Sequence, residues 1–217
     1  MSVNFRSPFG APKYSSGSAV AASVATMAAL RALADPGDLV HGNVVRVDAD
    51  GSEWVFHSTS VLTGDNLFVA TPDATAYASA GRWLRKTGPV DLALAIAFGT
   101  ADAAVLATLP TGARLFVQGG YWEVTTGFTG GSSSAIGLSS SQSGHTTAGD
   151  VLGGSGGDVT ALLGTAGIKE ATIGADVAAG MVLRAAETIK FNRVTSAFTA
   201  GAGYAHVVGE LVLNPGA

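Results

Sequence analysis

The sequence predicts a mainly β protein. An antiparallel, jelly-roll-like β-sandwich makes up the C-terminal part, preceded by a small N-terminal β module and an N-terminal arm with a short helix. Three observations predict it. Short alternations of large apolar and small or polar residues recur along the chain, most plainly over Leu92–Phe98, Tyr121–Thr125 and Thr188–Val194. Turn residues separate them, as at Asp48–Gly51 and Pro110–Gly112. No βαβ alternation accompanies them, so a parallel nucleotide-binding sheet is not expected. A period of two puts one face of each strand into a core and leaves the other on the surface.

The elements follow in order. Residues 1–17 are rich in Ser, Gly and Pro and read as an extended arm. Residues 18–34 (SAVAASVATMAALRALA) place Val20, Val24, Met27 and Leu30 or Arg31 along one side at helical spacing, and Asp35-Pro36-Gly37 ends the helix. That apolar side is narrow, so the helix needs a partner surface. Val20, Val24 and Met27 are the candidate contact residues, and residues 1–37 are read as an attachment segment.

Residues 38–88 form the small β module. Val44–Val47, the turn Asp48–Gly51 and Trp54–Phe56 make a hairpin. Leu39-Val40, Leu67–Val69 and Arg82–Arg85 supply further short strands, and the basic residues around Trp83 (Arg82, Arg85, Lys86) are expected on a solvated strand edge.

Residues 89–217 form the sandwich. Leu92, Leu94, Ile96 and Phe98 share a face, as do Trp122 and Val124, which turns Tyr121, Glu123 and Thr125 the other way. Trp122 is therefore assigned to the core and Tyr121 to a surface contact. Residues 127–157 hold ten Gly and eight Ser in 31 positions, a linker-like composition. Ala135–Leu138 sits inside them like a strand, so ordered loops between strands are expected instead. His145 lies in this loop region as a candidate exposed contact.

Composition bears on function class. Charged residues are 13%, below the roughly 25% of typical soluble domains, while hydrophobic residues reach 47% and Gly numbers 30. A weakly charged surface suits a subunit packed against copies of itself; a GC-rich genome enriches the same residue types. The net charge is −4 and the 12 basic residues are scattered, so the basic stripe that nucleic-acid binding requires is missing. With no Cys, disulfide, thiolate-metal and cysteine-nucleophile chemistry are excluded, in keeping with folding in a reducing cytoplasm. Met1–Pro12 has no basic and apolar signal pattern, and no apolar run is long enough to cross a membrane.

Motifs for chemistry are sparse. The four His (His41, His57, His145, His206) are not matched by a G-x-S-x-G elbow, and His57 and His206 fall on strands, where a hydrogen-bonded structural role is expected. Asp48–Glu53 begins like a calcium loop, but Thr59 stands where the twelfth-position glutamate belongs. Phosphate-binding glycine motifs are lacking. Neither a cofactor nor a metal is expected, and no catalytic residues are assigned.

The run Tyr121-Trp122-Glu123-Val124-Thr125-Thr126 continuing through Gly127–Gly137, and the pair Ala186–Phe191 and Thr195–Tyr204, resemble segments of structural proteins of tailed bacteriophages. Gly51–Trp54 and Gly81–Leu84 resemble the small β modules that precede fibre and spike domains. The resemblance spans about residues 40–213. It implies a virion component without catalytic residues: a homo-oligomer, with three copies of a jelly-roll-like domain standing on the particle and an N-terminal arm attaching them. The expected role is a capsid decoration or cement protein whose partner is the major capsid protein or another virion protein. The alternative is a tail fibre or adhesin-like protein whose Gly/Ser loops near His145 meet host surface glycans. The expected location is the virion surface, after assembly in the host cytoplasm.

Overall fold

The computed structural model describes residues 22–33, 39–130, 134–144, 146, 148–154, 157–194 and 198–214. The chain divides into two compact units. Of the described residues, the first holds those from Ala22 to Thr87, with Pro110–Gly112, Leu213 and Asn214; the second holds Gly88–Leu109 and those from Ala113 to Val212.

The first unit is a small mixed sheet with one short helix. Its elements are β1 (Ala22–Val24), α1 (Met27–Ala32), β2 (Val44–Val47), β3 (Glu53–His57), β4 (Val69–Ala70), a 3-10 turn (Thr75–Tyr77) and β5 (Arg82–Arg85), with strand order β1-β2-β3-β5-β4. The expected hairpin is present as β2 and β3, joined by a turn in which the Asp50 carboxylate accepts from the Ser52 backbone N–H and hydroxyl. The helix is shorter than the 18–34 expected. Ala22–Val24 pairs in parallel with Val45–Val47, and Thr26 caps the helix by accepting from the Ala29 N–H at 3.2 Å. Strand pairing wins because β-branched Val24 fits an extended backbone and Thr26 supplies the cap. Leu39-Val40, expected as a strand, lies outside every strand, and the strand expected at Leu67–Val69 is observed as β4 at Val69-Ala70.

The Arg82–Lys86 stretch corrects an expectation. β5 lies between β3 and β4 rather than at an edge, and Arg82 and Arg85 are buried. The Arg82 guanidinium donates to the carbonyls of Leu62, Tyr77 and Gly81, and Arg85 donates to the Leu67 carbonyl. A guanidinium presents five donors in a fixed fork, so loop carbonyls can satisfy it without water.

The second unit is an antiparallel sandwich. It comprises β6 (Gly88–Ala97), β7 (Val105–Thr108), β8 (Ala113–Gly130), β9 (Ala135–Ser140), β10 (Asp158-Val159), α2 (Thr160–Leu163), β11 (Gly167–Glu170), α3 (Ala175–Ala178), β12 (Val182–Arg184), β13 (Thr188–Val194) and β14 (Phe198–Leu213). One sheet runs β10-β9-β13-β7; the other runs β11-β8-β14-β6, with β12 beside the first half of β8. The two antiparallel sheets pack together. Leu92, Leu94 and Ile96 of β6, Trp122 and Val124 of β8, and Ile189 and Phe191 of β13 are among the buried core. The Gly/Ser stretch is built into this unit where it is described. β9 pairs with β13 along its full length, and Leu152 bridges to Leu138 and to Ile173.

One detail of β8 positions the site. Ala113, Leu115 and Val117 are buried along its first half, whereas Trp122, Val124 and Phe128 are buried along its second. The inward side thus changes from odd to even numbers across Gly119-Gly120. A one-residue change of phase is what a bulge produces, and glycine is the residue that tolerates it. A Cβ on Gly120 would run into the His206 carbonyl oxygen of β14. The glycine is therefore required for the approach of the neighbouring backbone.

Candidate functional site

The phase change turns Tyr121 and Glu123 to the outer face of the β11-β8-β14-β6 sheet. β14 alternates in step there. Ala205, Val207 and Leu211 are inward, and Tyr204, His206, Glu210 and Val212 are outward. On β6, inward Leu92 and Leu94 leave Asp91, Ala93 and Ala95 outward. Direct cross-strand pairing of His206 with Ala93, of Tyr204 with Ala95 and of Val208 with Asp91 sets the relative heights of these side chains.

Four of them form one cluster. The Tyr121 ring lies flat on the His206 imidazole, with centroids 4.2 Å apart and planes 10° apart. The Tyr121 hydroxyl donates to Asp91 Oδ2 at 2.7 Å. His206 Nδ1 is 2.8 Å from Asp91 Oδ1, and Nε2 is 3.1 Å from Glu123 Oε2. Carboxylates accept only, so both imidazole contacts are hydrogen bonds at once when the ring carries two N–H donors. The His206 side chain is 11% exposed, whereas the two carboxylates are 44% and 45% exposed. A buried ring is thus held between two acids that face water. Burial, the bond to Asp91 and the charges of Asp91 and Glu123 push the Tyr121 phenol up to about 12, so it stays a donor across the neutral range. Tyr204 stands edge-on to His206 at 6.3 Å and is itself exposed.

A second polar group lies in the core. Asp158 is buried and accepts from the Trp122 indole N–H at 2.6 Å, the Thr172 N–H at 3.0 Å and the Thr172 hydroxyl at 2.7 Å. This ties β8, β10 and the segment just after β11 together. A buried carboxylate with three donors is stable where it stands, and its role is structural. In the first unit, His41 and His57 meet edge-to-face at 4.7 Å. Burial, then the proximity of His41, lowers the His57 pKa below its ordinary value. Among the described residues, no group of three or more His, Asp or Glu is arranged to hold a metal ion.

The site residues expected from sequence are placed as follows. Tyr121 is on the outer face and partly buried, opposite fully buried Trp122. His145 and Val20 lie outside the described residues. Val24 and Met27 pack, partly buried, against a core of Leu30, Val45, Trp54 and Trp83 in the first unit. Much of their apolar surface is thus spent within the fold. His206 has the hydrogen-bonded role expected of it. Asp91, Glu123 and Tyr204 were not singled out as a group. Their parity along each strand could have put them on one face, but β6 meets β14 across 115 residues of sequence, and no local signal reports that.

No protein-family model, curated protein or solved structure matches this chain.

Proposed function

We propose that this chain is a non-enzymatic structural component of a tailed-phage virion, a decoration or cement protein held on the capsid surface as an oligomer. The observation that carries the reading is the apolar surface of the sandwich. Phe98, Val105, Phe116, Ile168 and Val212 are all large, apolar and exposed, with Ile168 at 74%. They belong to a chain of which only 13% is charged. Exposed apolar side chains on a sparsely charged surface are what a subunit presents to its neighbours.

The polar groups support the same reading. His206 is held at both ring nitrogens and Asp158 by three donors, so each acts as a strut within the sandwich. The resemblance of the 121–137 and 186–204 segments to phage structural proteins supports a virion rather than some other assembly.

The test is stoichiometric. Particles of the phage that encodes this chain are purified and their proteins quantified on a stained gel against the major capsid subunit. A decoration protein gives copies comparable in number with that subunit. A handful of copies per particle would overturn the reading in favour of a tail or portal location.

A further inference from the structure

We infer that the outer face of the β11-β8-β14-β6 sheet carries a saccharide-binding site, centred on Tyr204 and the carboxylates of Asp91 and Glu123. The inference does not depend on where the chain sits on a particle, and it places the site on the sheet rather than in the Gly/Ser loop around His145.

Three features of the geometry point to it. First, Tyr204 is 39% exposed on a rigid central strand, and its direct neighbour on β6 is Ala95. The next pair on that face is His206 with Ala93. Ala93 and Ala95 end at Cβ and are themselves exposed, so β6 forms a low shelf beside the Tyr204 ring. β6 is the last strand of its sheet, which leaves the shelf open along one side. A pyranose ring has an apolar C–H face that stacks on such an aromatic surface.

Second, the carboxylates are oriented before any ligand arrives. Asp91 is fixed by the Tyr121 hydroxyl through Oδ2 and by His206 through Oδ1. Glu123 Oε2 lies 3.1 Å from His206 Nε2, a hydrogen bond when the ring carries both N–H donors, and among the described residues its Oε1 makes no hydrogen bond. Each carboxylate offers about four lone-pair positions. Nearly half of each side chain is exposed, and the Glu123 carboxylate turns Oε1 outward as an acceptor. Water occupies such outward acceptor positions in the free protein, and sugar hydroxyls are donors that can replace it.

Third, the support is stiff. The Tyr121–His206 stack and its two acids form a closed set of contacts between β6, β8 and β14. A ligand therefore meets side chains already in place and loses less free energy to ordering them.

Saturation-transfer difference NMR on the purified full chain tests this. The probes are glucose, galactose, N-acetylglucosamine, maltotetraose and chitotetraose, each at about 10 mM, a concentration suited to millimolar affinity. At least one sugar is expected to receive saturation on its C–H protons. Titration of that sugar is then repeated with Tyr204→Ala, Glu123→Ala and Tyr204→Phe. The first two should weaken binding by about tenfold, equivalent to about 1.4 kcal/mol, while Tyr204→Phe keeps the ring and should bind like the parent. Tyr204 and Glu123 are surface side chains, and thermal unfolding of each variant separates loss of binding from loss of fold. Absence of transfer to every sugar overturns the inference. So does an affinity unchanged by Tyr204→Ala. Tetramethylammonium is the control cation: binding by it alone would show that the acids and ring select a cation, and would overturn the saccharide assignment.

Discussion

Asp158 shows how much one buried side chain can hold. Its carboxylate satisfies the buried Trp122 indole N–H and the N–H and hydroxyl of Thr172, which lies nearer the surface. Asp158→Ala leaves the buried indole N–H unmet, removes the tie to Thr172 and opens a void. Each unsatisfied buried donor costs about 1–3 kcal/mol, so urea titration should register a loss of about 3 kcal/mol with little change in slope. A loss below about 1 kcal/mol would mean that the three bonds are not holding the strands together. Tyr121 makes a second prediction at this scale. The phenol is raised to about 12 in the folded protein against an ordinary 10. The folded state therefore keeps its proton where the unfolded chain gives it up. The contribution to stability is complete below pH 10 and is lost as pH rises from about 10 to about 12. Ultraviolet difference titration of parent against Tyr121→Phe should show this phenol ionising later than an exposed tyrosine, and Asp91→Asn should bring it forward. The outward direction of Tyr121 and the burial of Trp122 were legible in the five-residue alternation. Their hydrogen-bond partners were not, because Asp91 and Asp158 come from strands distant in sequence.

At the scale of elements, β8 is the informative strand. The alternation expected over Tyr121–Thr125 is observed in its second half, and Ala113, Leu115 and Val117 alternate into the core along its first. What joins them is the Gly119-Gly120 bulge, and its consequence is the outward face that carries the cluster. A Gly pair in a strand signals a bulge or a close backbone approach. Which of the two applies depends on the neighbour, and here His206 of β14 is that neighbour. Gly120→Ala should force β8 and β14 apart or shift the phase of β8. Overpacking of this kind costs about 1–3 kcal/mol, and a backbone carbonyl cannot rotate aside as a side chain can. A fall in the urea midpoint together with weakened Tyr121–His206 ring-current shifts in NMR is expected. An unchanged midpoint would show that the strands have room to part. The same scale explains the misread elements. Helical spacing over Val20–Arg31 was real as a pattern, but a parallel partner for Ala22–Val24 existed only in the folded chain. Arg82 and Arg85 looked solvated because charge was visible in the sequence and the waiting carbonyls were not.

At the scale of the whole molecule, the fold class was readable because alternation and turn residues are local, whereas strand order was not. β6 begins the sandwich and β14 ends it, yet they are neighbours from Ala97 with Ala202 to Gly88 with Leu211. β13 likewise reaches back to β7 and β9. Pairings so distant in sequence must close long loops before they gain contacts, and chains of this kind fold in about milliseconds to seconds or slower. Trp54, Trp83 and Trp122 are all buried, so indole fluorescence reports the final packing of both units. Stopped-flow refolding should accordingly be slow, with its main phase at roughly 1 s or longer. If closure of β6 onto β14 is a late event, Leu92→Ala should remove about 2–5 kcal/mol of stability chiefly by speeding unfolding, since the contact it deletes is absent from the transition state. Refolding slowed in proportion to that loss would instead place the β6–β14 pairing in the folding nucleus, and the sandwich would then close from its ends inward.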